Sequence, residues 1–390
     1  MRGRRLFALC LVACTSVAAV AQDMTGILEM VAGDSPRLKA ASQTLSLQQA
    51  GNARERVLDD PEFEFGMLWG NDQTGNRHDI SVTQSIDLAT LSGKKGDLAN
   101  SLDRQAGYQY ESEKIEVLYN ARLMLADLVY YNALIEILTE QQSAMESLYE
   151  KTGRSLKEGG STALDMGKVR LQLSSARTAK SMAVTERMAV LESLRGISGH
   201  PELDFSGTGF ECDMPSDDFD SWLSGAVHRS PLMRYVKWGI ESEAIQLDID
   251  RMAWVPKLDL GYMAELARDE KYRGVTVGVS VPLWSNTSNV RRSRAAINQA
   301  KADGDWQEQE FRTQAANAWN RACSFADIAR ESQDALEQSD NRALLAKALE
   351  HGELSVLDYL MELGLYYDAA KDNLQVQREY HHALSELARY

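Results

Sequence analysis

The side chains with chemistry to offer are few and scattered. His351, His381 and His382 could ligate a metal or move a proton, but they fall in helical or turn contexts. No cysteine or orienting partner accompanies them, so the pattern assigns them no ligand or relay role. Cys212 and Cys323 stand at unrelated positions, which makes neither a disulfide framework nor a zinc motif. The paired carboxylates Asp59-Asp60 and Asp217-Asp218 sit at helix ends and in a linker, where solvation accounts for them better than acid–base work. The 14 methionines are spread through helical stretches and read as core rather than as a copper relay. No glycine-rich phosphate loop occurs. The expectation is a protein with no enzyme activity, no metal site and no cofactor.

Charge narrows the class further. The chain has 390 residues and a formal net charge of −15. Phosphate would repel it, so nucleic acid is excluded as a partner, and the balance suits a cation-attracting surface or cavity. The first residues read as an export leader over 1–21. Arg2, Arg4 and Arg5 are basic, Leu6 to Ala19 is apolar or small, and Ala19-Val20-Ala21 precedes Gln22 as an A-x-A-type cleavage site. A competing reading makes Leu11-Val12-Ala13-Cys14 a lipobox with Cys14 acylated. Both readings take the protein out of the cytoplasm. No later stretch is apolar for the eighteen residues that a spanning helix needs.

The chain is written twice. Ser35-Pro36 and Pro61 recur with the same spacing as Ser230-Pro231 and Pro256, and Gly66 and Gly261 follow at matched places. Gly159 and Leu164-Asp165 recur as Gly352 and Leu357-Asp358. Such duplication predicts two copies of one unit. The division is 22–199 for the first repeat with a hairpin at about 62–88, 200–219 for an irregular exposed linker, and 220–390 for the second repeat with a hairpin at about 257–283. The proline-free tracts predict helices over about 95–156 and 289–350, each roughly 90 Å long at 1.5 Å per residue. Val117, Ala121, Met124, Leu128, Tyr131, Ile135 and Leu138 form a heptad seam on the first of these tracts. Val356, Leu360, Leu363, Tyr367, Ala370 and Leu374 form a second seam further on. Helices of that length belong to a tube or a rod.

Period-two alternation marks the strands. Phe63, Phe65, Met67 and Trp69 share one face, then Ile80 and Val82, then Leu258, Leu260 and Tyr262, then Val275, Val277, Val279 and Val281. A soluble sheet packed on helices would show the same alternation. Hairpins at matched ends of very long helices favour lipid-facing strands instead. Four strands cannot close, and lipid tolerates no open edge. The barrel is therefore pooled between copies, eight strands from two or twelve from three.

The order and duplication of these features resemble the TolC family of outer-membrane efflux proteins over nearly the whole mature chain. The matching residues are the Ser-Pro helix starts, the transitions at Pro61 and Pro256, and the run Val277-Gly-Val-Ser-Val-Pro-Leu283. Glu158-Gly-Gly-Ser-Thr-Ala-Leu-Asp165 and His351-Gly-Glu-Leu-Ser-Val-Leu-Asp358 are similar to the helix–helix tips of that family. Gln84 to Gly93-Lys94-Lys95 resembles the strand end of its cobalt–zinc–cadmium-type branch.

The resemblance implies a mainly α fold with a small β part, trimerising into a 12-stranded outer-membrane barrel on a periplasmic α-helical barrel. It implies a homotrimer working with a periplasmic adaptor (membrane fusion) protein and an inner-membrane pump of the resistance-nodulation-division type. Solutes, metal cations or drugs among them, would pass passively to the exterior. Asp165 and Asp358 are similar to acids that narrow the family's pore at the tip, and carboxylate rings there attract cations. The same two acids also suit helix starts, as caps. Met361 and Leu354 depart from the acidic and basic residues of some members' gates. Gly159, Gly160 and Gly352 suit turns that need positive φ. With Leu164 and Leu357 they would form the tip on which the adaptor docks. Two alternatives stay open, a duct of a type I protein secretion system and a soluble periplasmic coiled-coil scaffold. An adaptor would be expected to carry a lipoyl-like β domain, and none is legible.

Overall fold

The structure, a computed structural model, describes residues 24–71, 75–210, 218–267, 270–281 and 286–390. The leader, Cys14, Cys212, Pro215, Pro282 and Leu283 lie outside the described residues. The elements run α1 (Met24–Asp34), α2 (Pro36–Arg54), β1 (Glu62–Leu68), β2 (Arg77–Ile86), α3 (Leu88–Leu91), α4 (Lys94–Lys157) and α5 (Ala163–Ser198). They continue as α6 (Phe219–Arg229), α7 (Pro231–Met252), β3 (Lys257–Leu266), β4 (Lys271–Ser280), α8 (Asn286–Gln338), α9 (Arg342–Glu350) and α10 (Val356–Leu387).

The matched Ser-Pro pairs do matched work. Ser35 (φ −50, ψ 125) and Ser230 (φ −55, ψ 120) are extended, and each is followed by proline at the first helical position. Proline disfavours a helical residue before it and has no N–H to leave unpaired, so one dipeptide ends α1 or α6 and starts α2 or α7.

Helix α4 is 64 residues long, about 96 Å at 1.5 Å per residue. It packs against α2 and α7 along its first part and against α5 and α10 further on. Burial on several sides explains why its seam is wider than the heptad suggests. Leu125, Val129 and Asn132 are buried with Val117, Ala121, Leu128 and Leu138, while Met124, Tyr131 and Ile135 are only half-buried. The second long tract does not run unbroken to residue 350. It stops at Gln338 and restarts at Arg342. Ser339, Asp340 and Asn341 compete with helix through their own short polar side chains. Arg342 locks the restart by bonding Asp340 (Nη2 to Oδ2, 2.7 Å), pairing with Glu140 of α4 and lying over the Tyr366 ring at 4.2 Å.

Three buried clusters hold the helices. One joins Ile27 and Val31 of α1, Leu38 of α2, Leu125, Leu128 and Val129 of α4, and Leu194 of α5. A second joins Trp222 of α6 to Ala318 and Ala322 of α8 and Leu384 of α10. The third lies near the helical turns and joins Met145, Leu148, Val169, Leu173, Tyr359, Leu363 and Tyr367. Each large side chain so buried contributes about 1.5–3 kcal/mol relative to exposure.

The segment after α5 is not wholly exposed, as its polar composition suggested. Leu203 and Phe205 are buried in the first cluster. Asn132 Nδ2 donates to the carbonyls of Phe205 (3.3 Å) and Gly207 (2.9 Å), and Asn132 Oδ1 accepts from Arg187 Nε at 2.5 Å. Arg187 Nη2 also donates to the Phe205 carbonyl at 2.8 Å. Asn132→Leu takes this partner from the Gly207 carbonyl and from Arg187 Nε and is expected to cost about 1–3 kcal/mol for each group that water cannot reach. A thermal unfolding midpoint equal to that of the unsubstituted protein would count against this hub.

Candidate functional site

The sheet has the order β1-β2-β3-β4, antiparallel throughout, with β1 and β4 as free edges. Its register sorts most side chains by character, with Leu68 and Met263 on the otherwise polar face and His78, Gln84, Lys271 and Arg273 on the otherwise apolar one. Phe63 lies opposite Val82, Val82 opposite Tyr262, and Tyr262 opposite Val275. Phe65 faces Ile80, while Leu260 faces Val277 and Leu258 faces Val279. Cross-strand partners share a face, so these residues form one apolar surface. It is open: Phe63 is 67 %, Val277 66 % and Val275 78 % exposed, and Ile80 is half-buried. Trp69 and Val281 continue it just beyond the ends of β1 and β4 rather than within them.

The other face is polar. Glu62, Glu64, Asp79, Asp259 and Glu265, all the strand carboxylates, lie on it by register. Asp259 accepts from Ser85 Oγ (2.5 Å) and Ser280 Oγ (2.8 Å), and Arg77 bridges Asp79 (2.9 Å) and Glu265 (2.6 Å). Glycine is needed here for closeness. A Cβ on Gly261 would stand 2.5 Å from Thr276 Oγ1 and 3.0 Å from Thr83 Oγ1. The polar face is thus tightly packed around Gly261.

A joint links sheet to helix. Asp87 caps α3 by accepting from Thr90 N at 2.7 Å and also holds Lys95 at 3.0 Å. Gly93 adopts φ +80 before α4, and Lys94 reaches Asp248 of α7 at 3.4 Å. The Gly-Lys-Lys run thus pins the end of β2 to α4 and α7.

At the far end the two helical turns come together. Gly159 (φ 80) and Gly352 (φ 72) have the positive φ that favours glycine. Gly160 does not. Its small size is used instead, because a Cβ there would lie 2.8 Å from Ser155 Oγ. The third cluster and the Lys151–Glu350 pair (2.6 Å) bind one turn to the other. Burial pushes the Tyr367 phenol beneath them up to about 12, so it stays neutral. Leu164 and Leu357 are exposed, one on each turn.

Asp165 and Asp358 both lie in the first turn of their helices and hold the cap residues, Thr162 and Ser355. Asp165 Oδ2 accepts from Thr162 Oγ1 (2.6 Å) and Thr162 N (3.1 Å), while Thr162 Oγ1 accepts from Asp165 N. This is a full capping box. The Thr162 hydroxyl, then its N–H, holds the Asp165 carboxyl below the ordinary 3.8. The cap is therefore present above the ordinary range and is lost only as pH falls through the lowered value. Ser355 Oγ caps the N–H of Asp358 at 3.2 Å and donates to its Oδ2 at 2.6 Å. Asp358 is exposed at the turn end and Asp165 half-buried, and both keep lone pairs for other partners.

One constellation gave no signal in the sequence. Asp127 of α4 lies 2.9 Å from His382 Nε2 and 3.5 Å from Arg378 Nε, both on α10. His381 stacks on Phe210 with centroids 4.2 Å apart. These groups are distant in sequence and meet only because α10 folds back along α4. Among the described residues no group of three His, Cys, Asp or Glu could hold a metal ion, and no helix is long and apolar enough to cross a membrane.

No family profile and no characterised protein matches the sequence. The fold, by contrast, is a known one. CusC, solved in a study of transmembrane channel formation, superposes with a TM-score of 0.78 at 13 % identity, over 93 % of this chain and 90 % of its own. The outer membrane protein VceC of Vibrio cholerae superposes at 0.77 and 12 % identity, over 93 % and 94 %. The MtrE outer membrane channel of Neisseria gonorrhoeae, in its open state, superposes at 0.77 and 13 % identity, over 94 % and 88 %. The chain has the fold of outer-membrane channel proteins, mainly helical with one small antiparallel sheet.

Proposed function

We propose that this protein is the outer-membrane exit duct of a tripartite efflux system, a member of the TolC family. The observation that carries it is the sheet: an exposed apolar face, a polar face and two open edges, set at the end of long helices, α4 alone about 96 Å. Water would not favour such a surface, and lipid would not tolerate its edges. Pairing β4 of one copy with β1 of the next satisfies both demands. Three copies make a twelve-stranded barrel with the polar face lining the lumen. Exposed Trp69 and Trp254 mark the two rims of the band, as aromatic girdles do in such barrels.

In this reading the helices form a periplasmic tunnel and the turns at residues 158–162 and 351–355 form its inner end. Leu164 and Leu357 offer apolar contacts beside Gly159, Gly160 and Gly352 for the hairpins of an adaptor, and a pump in the inner membrane drives the flux. The duct performs no chemistry. Its acidic balance suits metal cations or cationic drugs, in keeping with the likeness of Gly93-Lys94-Lys95 to the cobalt–zinc–cadmium-type branch. Asp165 and Asp358 are assigned a second role beside capping, as carboxylates that narrow the closed tip. Asp358→Ala is expected to raise single-channel conductance or weaken block by divalent cations. If both stay as in the unsubstituted channel, Asp358 is only a cap.

The deciding experiment is the detergent-corrected mass of the protein extracted from isolated outer membranes. A trimer that requires detergent supports the duct. A monomer released by salt or sonication would mean that the strands form a soluble sheet, and the duct reading would be withdrawn.

A further inference from the structure

The apolar face of the sheet carries charge at one end only, and the charge has one sign. Along this face the four strands present no carboxylate at all. Its only ionisable groups besides Tyr262 are His78, Arg273 and Lys271. All three lie toward the hairpin turns, away from the helices: Lys271 pairs with Leu266, which lies beside His78, and Arg273 pairs with Ala264 beside Ile80. Lys271 and Arg273 are exposed, and neither side chain has an ion pair or hydrogen bond among the described residues. Their nearest acid in sequence, Glu270, is engaged by the Tyr272 hydroxyl, which belongs to the opposite face. Arg77, on that polar face, shows the contrast, since Asp79 and Glu265 neutralise it.

Position gives these cations a meaning. From Lys271 to Val281 the chain covers about 33 Å, or about 25 Å along the normal of a barrel whose strands tilt near 40°. That is the height of a lipid-facing band, so Lys271 stands at its outer rim and Arg273 within reach of it by snorkelling. Exposed Trp69 lies at the same rim. An unpaired cation pair at the edge of hydrocarbon needs an anion that is itself anchored in the hydrocarbon. We propose that Lys271, Arg273 and His78 form a docking site for the phosphate-bearing head group of an outer-leaflet lipid, whose acyl chains lie along Val275, Val277 and Phe65. This rests on the barrel reading above. Guanidinium and ammonium both bond phosphate oxygens with charge assistance, and the apolar run beneath supplies the chain contacts.

The test uses the full chain in detergent, with bis-phosphorylated lipid A, the same glycolipid without phosphate, and inorganic phosphate as probes. The unsubstituted protein should retain the phosphorylated lipid and not the dephosphorylated one in native mass spectrometry. K271Q/R273Q should weaken retention about 30-fold, from two charges at a lipid surface. K271R/R273K should retain it. Equal retention by the glutamine variant, or no preference for phosphate, overturns the proposal. Displacement by millimolar inorganic phosphate would make this a free-anion site and overturn the lipid assignment. Conductance and mass of the same samples separate the two readings. A conducting trimer with unselective lipid binding sinks only this inference, and a detergent-independent monomer sinks the barrel with it.

Discussion

Val277→Arg is expected to abolish assembly of the proposed barrel, while Ser81→Lys leaves it intact. Val277 lies near the middle of the apolar band, opposite Leu260, and is well exposed in the single chain. An arginine facing lipid near the midplane costs about 2–4 kcal/mol, which is roughly 30- to 1,000-fold in an equilibrium. In a barrel of three copies that cost is incurred three times. Ser81 lies on the polar face directly opposite Glu64, so a lysine there gains a cross-strand partner. Heat-resistant trimer in outer-membrane fractions reads both results. If the two variants assemble alike, the apolar face does not meet lipid. A soluble sheet would accept Val277→Arg readily, because the site is already open to solvent.

The second large effect concerns the polar face. Gly261→Leu is expected to break pairing between β3 and its neighbours and to lose the folded sheet. The first added carbon meets Thr276 Oγ1 at 2.5 Å, Thr83 Oγ1 at 3.0 Å and the Val82 carbonyl at 3.0 Å. The carbonyl belongs to the adjacent strand and cannot turn aside, so overpacking costs about 1–3 kcal/mol before the rest of the side chain is placed. Gly274→Leu is the control, because nothing lies within 4 Å of a Cβ there. Loss of strand signal in the first variant and not in the second, by circular dichroism of the solubilised protein, is the expected pair of results. Equal losses would mean that strand propensity and not crowding is being measured.

Much of this arrangement was legible in the residues because it rests on local rules. Proline blocks helix and lacks an N–H, so Ser35-Pro36, Pro61, Ser230-Pro231 and Pro256 mark the element boundaries closely. Period-two alternation named the members of the apolar face, and Trp69 and Val281 missed only by lying just outside their strands. Glycine at a turn announced Gly159 and Gly352 correctly. It misassigned Gly160, since φ and available space are separate reasons for glycine and look alike in a sequence. The interruption at 339–341 escaped because a few short polar residues shift helix stability by only fractions of a kcal/mol each, and Arg342 reaching Glu140 and Tyr366 decides the matter.

By itself the sequence determined what depends on near neighbours along the chain: the Ser-Pro helix boundaries, two hairpins, long helices and an acidic balance. Only the tertiary structure decided what depends on register and on helices folding back. The pairing of β2 with β3 joined the two hairpins into one sheet, which placed every strand carboxylate on one face and His78, Arg273 and Lys271 at one end of the other. The return of α10 along α4 brought Asp127 to His382, and the cluster around Tyr367 brought the two turns together. The physical reason is one of range. Backbone sterics and capping act over a few residues, whereas a one-residue slip between distant strands would turn every side chain to the opposite face, and only packing of the whole chain selects against it.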